Sequence, residues 1–411
     1  MKISRVKLFT PPSFYLYIIL GFFKNYKNDF IKKISFIFKK KNFLLFSQGR
    51  VAFYNCLKLE MDLTGKKEVI ISPYTLPAVI NVIELIGAKP IYVDIDINTG
   101  LPKIEHVKKK INKNTLAIVI THLFSSEINI KKFLFFVKRN SLCLIEDCAI
   151  NFGCIIRNKK KTTMLGTLGE YGFFSFGMMK NICLLNAGAL YVKDQKKYNL
   201  IKSELNKKKF FPFFKFLNLF FLSLLINFLF SKFIYNLFTF FVIRNVNQKN
   251  SYLIKKIYPG LFPQIYKKIP EFFNYDFFSP LAKAGIFQLK KFQSDHFVRI
   301  QKIKIYENFL KDCKNLDLFK FNNYYENSFL EYPILLKNKT NTYIHDKLSK
   351  SGIDIRKKWY LNNLTIKTFN KNKLYLKNCD FLSKKILCLP VHSQISIDDI
   401  KEICFKIKQF A

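Results

Sequence analysis

"EVIISPYTLPAVINVIELIGAKPIYVDID", residues 68–96, holds two β-branched apolar runs on either side of a stretch that reads as a helix. Strand–helix–strand units of this kind build parallel sheets. Further along, "TLAIVITHLFS" (115–125), "SLCLIEDCA" (141–149) and "EYGFFSF" (170–176) are successive strand candidates, with helical stretches between several of them. Upstream, "GRVAFYNCLKLEM" (49–61) reads as a helix entered through a glycine. The alternation predicts a doubly wound α/β sheet, whose ligands sit at the carboxyl ends of the strands. The polar residues at those ends are therefore the candidates for chemistry.

A chain of 411 residues can bury one large core and at least one smaller one. Its net charge of +41 would attract polyanions. A nucleic-acid partner is nevertheless not expected. The lysines are scattered, as a compositional bias shared with Ile, Asn and Phe would produce, and neither zinc-finger spacing nor an RNA-binding aromatic motif accompanies them. An anionic membrane surface and a phosphate-bearing substrate both fit the charge. Nine cysteines, without a CxxC pair and mostly in apolar runs, predict reduced, buried thiols in a cytoplasmic protein and no metal site. The start, "MKISRVKLFTPPSFYLYIILGFFK", is not read as a secretory signal, because Pro11 and Pro12 interrupt it and no small-residue cleavage site follows.

Composition divides the chain into an amphipathic helical segment (1–48), a large α/β domain (49–200), an apolar insertion (201–270), linking helices (271–300) and a small α+β domain (301–411). The last has strands near "EYPILLK" and "KILCLPV" and a closing helix in "SIDDIKEICFKIKQF". Within the insertion, Lys215, Lys232 and Arg244 are the only charges between residues 210 and 244. The uncharged piece 216–231 is slightly short of the roughly 17–25 residues a spanning helix needs. Three fates stay open: lying in a membrane interface with its lysines reaching the headgroups, crossing a bilayer, or burial in a dimer. A peripheral contact through 210–243 would put the protein on the inner face of a membrane.

"FFSFGMMKNICLLNAGA" (173–189) contains a single lysine, Lys180. An amine is a nucleophile only when neutral, and an apolar setting favours that form, which suits Schiff-base chemistry. Upstream, "LIEDCA" closes a buried strand with Glu146 and Asp147. A strand-end carboxylate facing a ligand could pair with the pyridine nitrogen of pyridoxal phosphate. Ser175 lies five residues before the lysine, where its hydroxyl could hold a phosphate, and Gly49 and Arg50 open a helix whose N–H groups form an anion cradle. His122, His392 and Glu146 are read as structural.

The ordered pieces "GRVAF", "SPYTLPAVINVIELIGAKPIYVDID", "LIEDCAINFG", "LGTLGEYGFFSFGMMKNI", "FFNYDFFSPLAKAGIFQLKKF" and "LCLPVHSQISIDDI" resemble the DegT/DnrJ/StrS family of pyridoxal phosphate-dependent sugar aminotransferases. The resemblance runs from about Gly49 to the C-terminus, apart from the apolar stretch. It implies a fold-type-I transferase: a mixed, mostly parallel sheet with helices on both faces and a smaller C-terminal α+β domain. It also implies Lys180 as the Schiff-base lysine, Asp147 as the partner of the pyridine nitrogen, Ser175, Gly49 and Arg50 as phosphate binders, and Asn274 as a residue reaching the cofactor of a neighbouring subunit. The expected function is transfer of an amino group, from glutamate, to a keto sugar linked to a nucleotide, by a homodimer, in surface-polysaccharide or amino-sugar synthesis.

The chain departs from the family pattern at Leu76, where an aromatic residue often stacks on the cofactor ring, with Tyr74 as the substitute. Further departures are Ile150 in place of Gln or His, Gly177 in place of His, and Ser125 in place of Gly. They leave two other readings open: a cofactor-binding homologue with non-transaminating or regulatory chemistry, and a membrane-associated scaffold.

Overall fold

The computed structural model describes residues 2–5, 7–8, 10–123, 127–158, 161–249, 264–319, 321, 324–356 and 360–411. The chain begins with helices α1 (Pro12–Leu20) and α2 (Lys27–Phe38) and strand β1 (Phe43–Phe46). Next come α3 (Gly49–Thr64), β2 (Glu68–Ile71), β3 (Tyr74–Thr75), α4 (Pro77–Leu85), β4 (Lys89–Tyr92), α5 (Ile104–Lys108), β5 (Thr115–Thr121), α6 (Glu127–Arg139) and β6 (Leu144–Asp147). A hairpin of β7 (Ile155–Asn158) and β8 (Lys161–Met164) precedes β9 (Tyr171–Ser175), β10 (Gly188–Val192), α7 (Gln195–Asn206) and α8 (Phe213–Leu229). Then α9 (Lys232–Ile234) runs through a π-helical turn, Tyr235–Thr239, into α10 (Phe240–Lys249), and α11 (Leu281–Leu310) follows. The chain closes with β11 (Leu316–Leu318), β12 (Tyr332–Leu336), α12 (Asn341–Lys350), β13 (Leu361–Asn362), α13 (Lys377–Lys385), β14 (Ile386–Leu389) and α14 (Ile397–Phe410).

Seven strands form the main sheet in the order β1-β10-β9-β6-β5-β2-β4. Strand β10 runs against both of its neighbours, and the other strands are parallel to one another. This is the mixed, mostly parallel sheet that the family resemblance implies, and its parallel strands are those that the alternation in 68–96 predicts. β5 is buried along its whole length, as expected of a strand covered on both faces. On one face pack Phe14 of α1, Phe30 of α2, Phe133 of α6 and Leu289 of α11. On the other pack Phe53 of α3, Val79 of α4 and Ile201 of α7. A second, antiparallel sheet, β11-β12-β14, packs against Ile303 and Tyr306 of α11, Ile344 of α12 and Ile403 of α14. The two units are joined where β13 pairs with β3, and Asn363 Nδ2 donates to the Pro73 and Thr75 carbonyls at 2.8 and 2.7 Å.

Several expected boundaries shift. The 1–48 segment is not purely helical: "FLLF" is β1, an edge strand of the main sheet. Its four residues are all buried, so the run shows no alternation by which a strand could be read. Nor is α1 amphipathic in the soluble sense; Phe14 and Ile18 are buried while Leu16, Ile19 and Leu20 are exposed. A single helix, α11, crosses the expected boundary at 300, because its first half covers the large sheet and its second half the small one. The expected insertion begins inside α7, whose Ile201 and Leu205 are buried on the large sheet. Part of that insertion, 250–263, and Ser125 lie outside the described residues.

Candidate active site

Side chains alternate along a strand, so Glu146 and Asp147 must face opposite sides of the sheet. Pairing decides which side each takes. Ile145, Val119 and Phe173 belong to the core beneath α3, whereas Leu144, Ile118 and Phe174 belong to the opposite one. Thr121, Asp147 and Ser175 thus share the α3 face at the carboxyl ends of β5, β6 and β9, with Thr121 opposite Asp147 and Asp147 opposite Phe173. Thr121 Oγ1 lies 3.0 Å from Thr75 Oγ1. The Ala149 N–H donates to Asp147 Oδ1 at 3.0 Å. Burial pushes the Asp147 carboxyl up to about 6, against the Ala149 N–H and the charge of Lys180, which favour the carboxylate.

Lys180 sits in the loop between β9 and β10, and its N–H donates to the Gly177 carbonyl at 3.0 Å. Burial brings its ammonium down to about 8, even with Asp147 nearby to favour the charge. The loop is held from outside. Gln288 of α11 brackets Cys183, accepting from its N–H at 2.6 Å and donating to its carbonyl at 2.8 Å. Arg299 donates to Asn181 Oδ1 at 2.6 Å, and Asn181 in turn donates to the Ser328 carbonyl and hydroxyl at 3.0 Å. Arg356 and Glu331, which pair at 2.9 Å, also act electrostatically on Lys180. Tyr360 shares this neighbourhood, since the charge of Asp147 adds to the burial that raises its phenol.

Gly49 begins α3 against the end of β9. A Cβ there would come within 3.0 Å of the Phe174 carbonyl and 3.1 Å of Ser175 Cβ. Opposite Ser175 in the ladder stands Gly188, where a Cβ would collide with the Gly49 nitrogen. Only glycines allow the helix terminus and the serine to approach this closely. No side chain caps α3, and its first N–H groups have no intrahelical acceptor. A Cβ at Gly177 would lie 3.7 Å from Ser175 Oγ and meet nothing else, so this side of the hydroxyl is open. Together, the uncapped helix, the serine and the two glycines suit a phosphate, and Asp147 with Lys180 suits a protonated pyridine and a carbonyl. The donor set therefore fits pyridoxal phosphate.

The other expected residues take different places. Arg50 is half-buried with its guanidinium 5.8 Å from the Phe272 ring, and burial lowers its pKa. Asn274 ends a short 3-10 turn, Glu271–Asn274, and is exposed. Tyr74 is 1% exposed and sits edge-to-face on Tyr360 at 5.9 Å, in a cluster with Leu123 and Ile150. So buried a ring offers no face for stacking; it positions β3 and the small unit, which corrects the expectation for this residue. Leu76, the N-cap of α4, is the half-exposed one. Gly188, Arg356, Glu331 and Tyr360 went unread in the sequence. Gly188 alone left a trace there, as a small residue opening an apolar run after the lysine loop.

On the other face, His122 Nε2, Glu146 and Cys148 Sγ approach within 4.8 Å of one another, a spacing a metal could use. Glu146 is already saturated. Its Oε1 accepts from the Leu168 and Gly169 N–H groups at 2.6 and 2.8 Å, and its Oε2 from Gly166 N–H and His122 Nε2, both at 2.9 Å. Burial also holds the Cys148 thiol well above its ordinary value, keeping it protonated. The cluster is scaffold that fixes the loop before β9. Accordingly, Glu146→Ala, which strands three backbone donors and a histidine, should cost about 3–5 kcal/mol in urea unfolding. A loss below about 1 kcal/mol would refute that role. His392 is structural as well, donating from Nε2 to the Ser4 carbonyl at 2.8 Å.

The DegT/DnrJ/EryC1/StrS aminotransferase family profile matches residues 23–207 and 266–408. Over 177 residues the chain is 31% identical to a GDP-perosamine synthase of Escherichia coli O157:H7, covering 42% of this chain and 47% of that protein. Over 155 residues it is 32% identical to a dTDP-3-amino-3,6-dideoxy-alpha-D-galactopyranose transaminase of Aneurinibacillus thermoaerophilus, covering 37% and 42%. Each of these alignments spans less than half of the relative's length. Among solved structures, Helicobacter pylori PseC, an aminotransferase involved in the biosynthesis of pseudaminic acid, superposes with a TM-score of 0.76 at 17% identity, covering 100% of this chain and 99% of that one.

Proposed function

Because the chain belongs to the DegT/DnrJ/EryC1/StrS aminotransferase family, we propose that it is a pyridoxal phosphate-dependent enzyme that moves an amino group from glutamate to a keto sugar carried on a nucleotide. The observation that carries this reading is the placement of Asp147 and Ser175 at one end of one sheet face, beside the N-terminus of α3, with Lys180 in the loop after β9 within electrostatic reach of Asp147. The cofactor, when bound, supplies a carbonyl carbon for an amine and a ring that accepts electrons.

The chain's own residues supply the rest. Ser175 and the first N–H groups of α3 hold the phosphate. Asp147, on the same face, keeps a proton on the ring nitrogen. With its ammonium brought down to about 8, Lys180 is neutral in roughly a tenth of molecules at pH 7, far more than an ordinary lysine. Its neutral amine would condense with the cofactor's carbonyl carbon with loss of water and, once displaced by the donor's amine, would be free to take the donor's α-proton and return it. The proposed active unit is a homodimer, in which the exposed Asn274 would reach the cofactor of the neighbouring subunit. All nine cysteines are free, in keeping with a cytoplasmic setting.

Mixing the cofactor-loaded protein with glutamate, without a sugar, tests the reading. The visible absorbance of the lysine-bound cofactor should decay with release of 2-oxoglutarate, and a nucleotide-linked keto sugar should restore it. A loaded protein that leaves glutamate unchanged would favour the non-transaminating alternative.

A further inference from the structure

From residue 205 to residue 270 the sequence contains no Asp or Glu, while Lys209, Lys215, Lys232 and Arg244 punctuate long apolar runs. Helix α8 in this stretch is inside out for a helix meeting water. Two of its polar residues point inward, while Lys215 and Asn218 are exposed: Ser223 Oγ lies 3.0 Å from the Tyr15 hydroxyl, and Asn227 Nδ2 donates to Tyr15 and to Thr10 Oγ1 at 2.8 and 2.7 Å. Its phenylalanines point outward, Phe214 at 73%, Phe221 at 61% and Phe228 at 58% exposed. The face continues through the equally exposed Phe233 and Phe238, and onto the N-terminal segment through Ile19 and Phe23. Phe22 bridges the two parts, edge-on to Phe213 and Phe216 at 6.0 and 5.9 Å. Contiguous apolar surface of this kind marks a docking site.

We propose that α1, α8 and residues 232–244 form a monotopic docking surface for an anionic lipid bilayer. Among the described residues no single helix is long and apolar enough to cross a membrane; α8 and 232–244 reach that length and composition only as a pair, and meet at a 64° bend. Seventeen residues of α8 span about 25 Å, less than the roughly 30 Å hydrocarbon core. The bend and the lysines that punctuate the pair favour a place in the interface, with its rings among the acyl chains and its lysines at the headgroups.

A second copy of the chain fits less well. An isologous contact would bring Lys232 of both copies onto one apolar face with no acidic residue between 205 and 270 to offset them, whereas Lys215 already pairs with Glu271 at 3.3 Å. Residues 1–22 and 208–265 fall outside the family match. The face also touches the active site. Beneath it, Ile226, Phe230, Tyr235 and Phe240 pack on Met178 and Met179, immediately before Lys180. Docking on a bilayer therefore sets the lysine loop close to the membrane surface.

Flotation of the full chain with vesicles tests this independently of any transamination. The parent should float with phosphatidylglycerol–phosphatidylethanolamine vesicles and weakly with phosphatidylcholine alone, and the binding should fall with salt. Exchanging exposed rings, Phe214→Ser, Phe221→Ser, Phe228→Ser and Phe238→Ser together, should lower the partition at least about tenfold. A separate Lys215→Glu, Lys232→Glu variant should lose the preference for anionic vesicles. Thermal unfolding reports whether each variant folds. Equal partition of a folded ring variant and the parent would overturn the proposal. So would a parent that ignores vesicles while the ring variant dissociates from dimer to monomer, which would assign the face to a second copy.

Discussion

Replacing Lys180 with alanine should remove the visible absorbance of the cofactor-loaded protein and lower amino-group transfer by at least about 10³-fold, since one side chain serves as both nucleophile and proton carrier. Lys180→Arg should do the same, because it keeps a cation but not a neutral amine at any accessible pH. If Ser175 and the start of α3 hold the phosphate, as proposed, both variants should still bind the cofactor non-covalently. The pH dependence carries its own signature. With the ammonium brought down to about 8, the rate at which the empty wild-type protein captures cofactor should climb as pH rises through 8 and level off above it. Stopped-flow absorbance measures this rate, and one still rising beyond pH 10 would show a lysine as basic as any other.

The second large effect belongs to Asp147. Asp147→Asn keeps the shape and an acceptor for the Ala149 N–H but cannot hold a proton on the ring nitrogen, so transfer should fall by about 10²–10³-fold. Stability should move the other way. The folded-state value of about 6 exceeds the ordinary 3.8, so the folded protein binds more protons than the unfolded chain between these values. The resulting penalty is absent below 3.8, grows as pH rises, and is complete above about 6. Its size is about 3 kcal/mol. The neutral asparagine escapes it, so the cofactor-free variant should be at least as stable as the parent at pH 7 and lose the parent's decline between pH 4 and 6. Denaturant unfolding across that range, set beside steady-state kinetics, separates the two roles. A variant both inactive and destabilised at pH 7 would make Asp147 a structural residue.

Much of the site was legible because its signals are local. An apolar setting around Lys180, a carboxylate closing a buried strand at Asp147 and a serine five residues ahead of the lysine can all be read within short windows. Other parts could not be. β1 has no alternation because both of its faces are covered. Tyr74 looked like a ring placed for stacking until its burial against Tyr360, 286 residues later in the chain, gave it another task. The Arg356–Glu331 pair has no local motif, and only the folding of the small unit onto the large one brings it near Lys180.

By itself, then, the sequence determined the alternation of strands and helices, hence the class of sheet and the edge where chemistry belongs. It also marked an apolar stretch without an acidic residue. Tertiary structure decided which carboxylate faces the α3 side, how closely Gly49 and Gly188 bring a helix terminus to Ser175, and which face of α8 points outward. The physical reason is range: propensity and periodicity act over a few residues, whereas side-chain direction, burial and shifted acidity depend on neighbours supplied from distant parts of the chain.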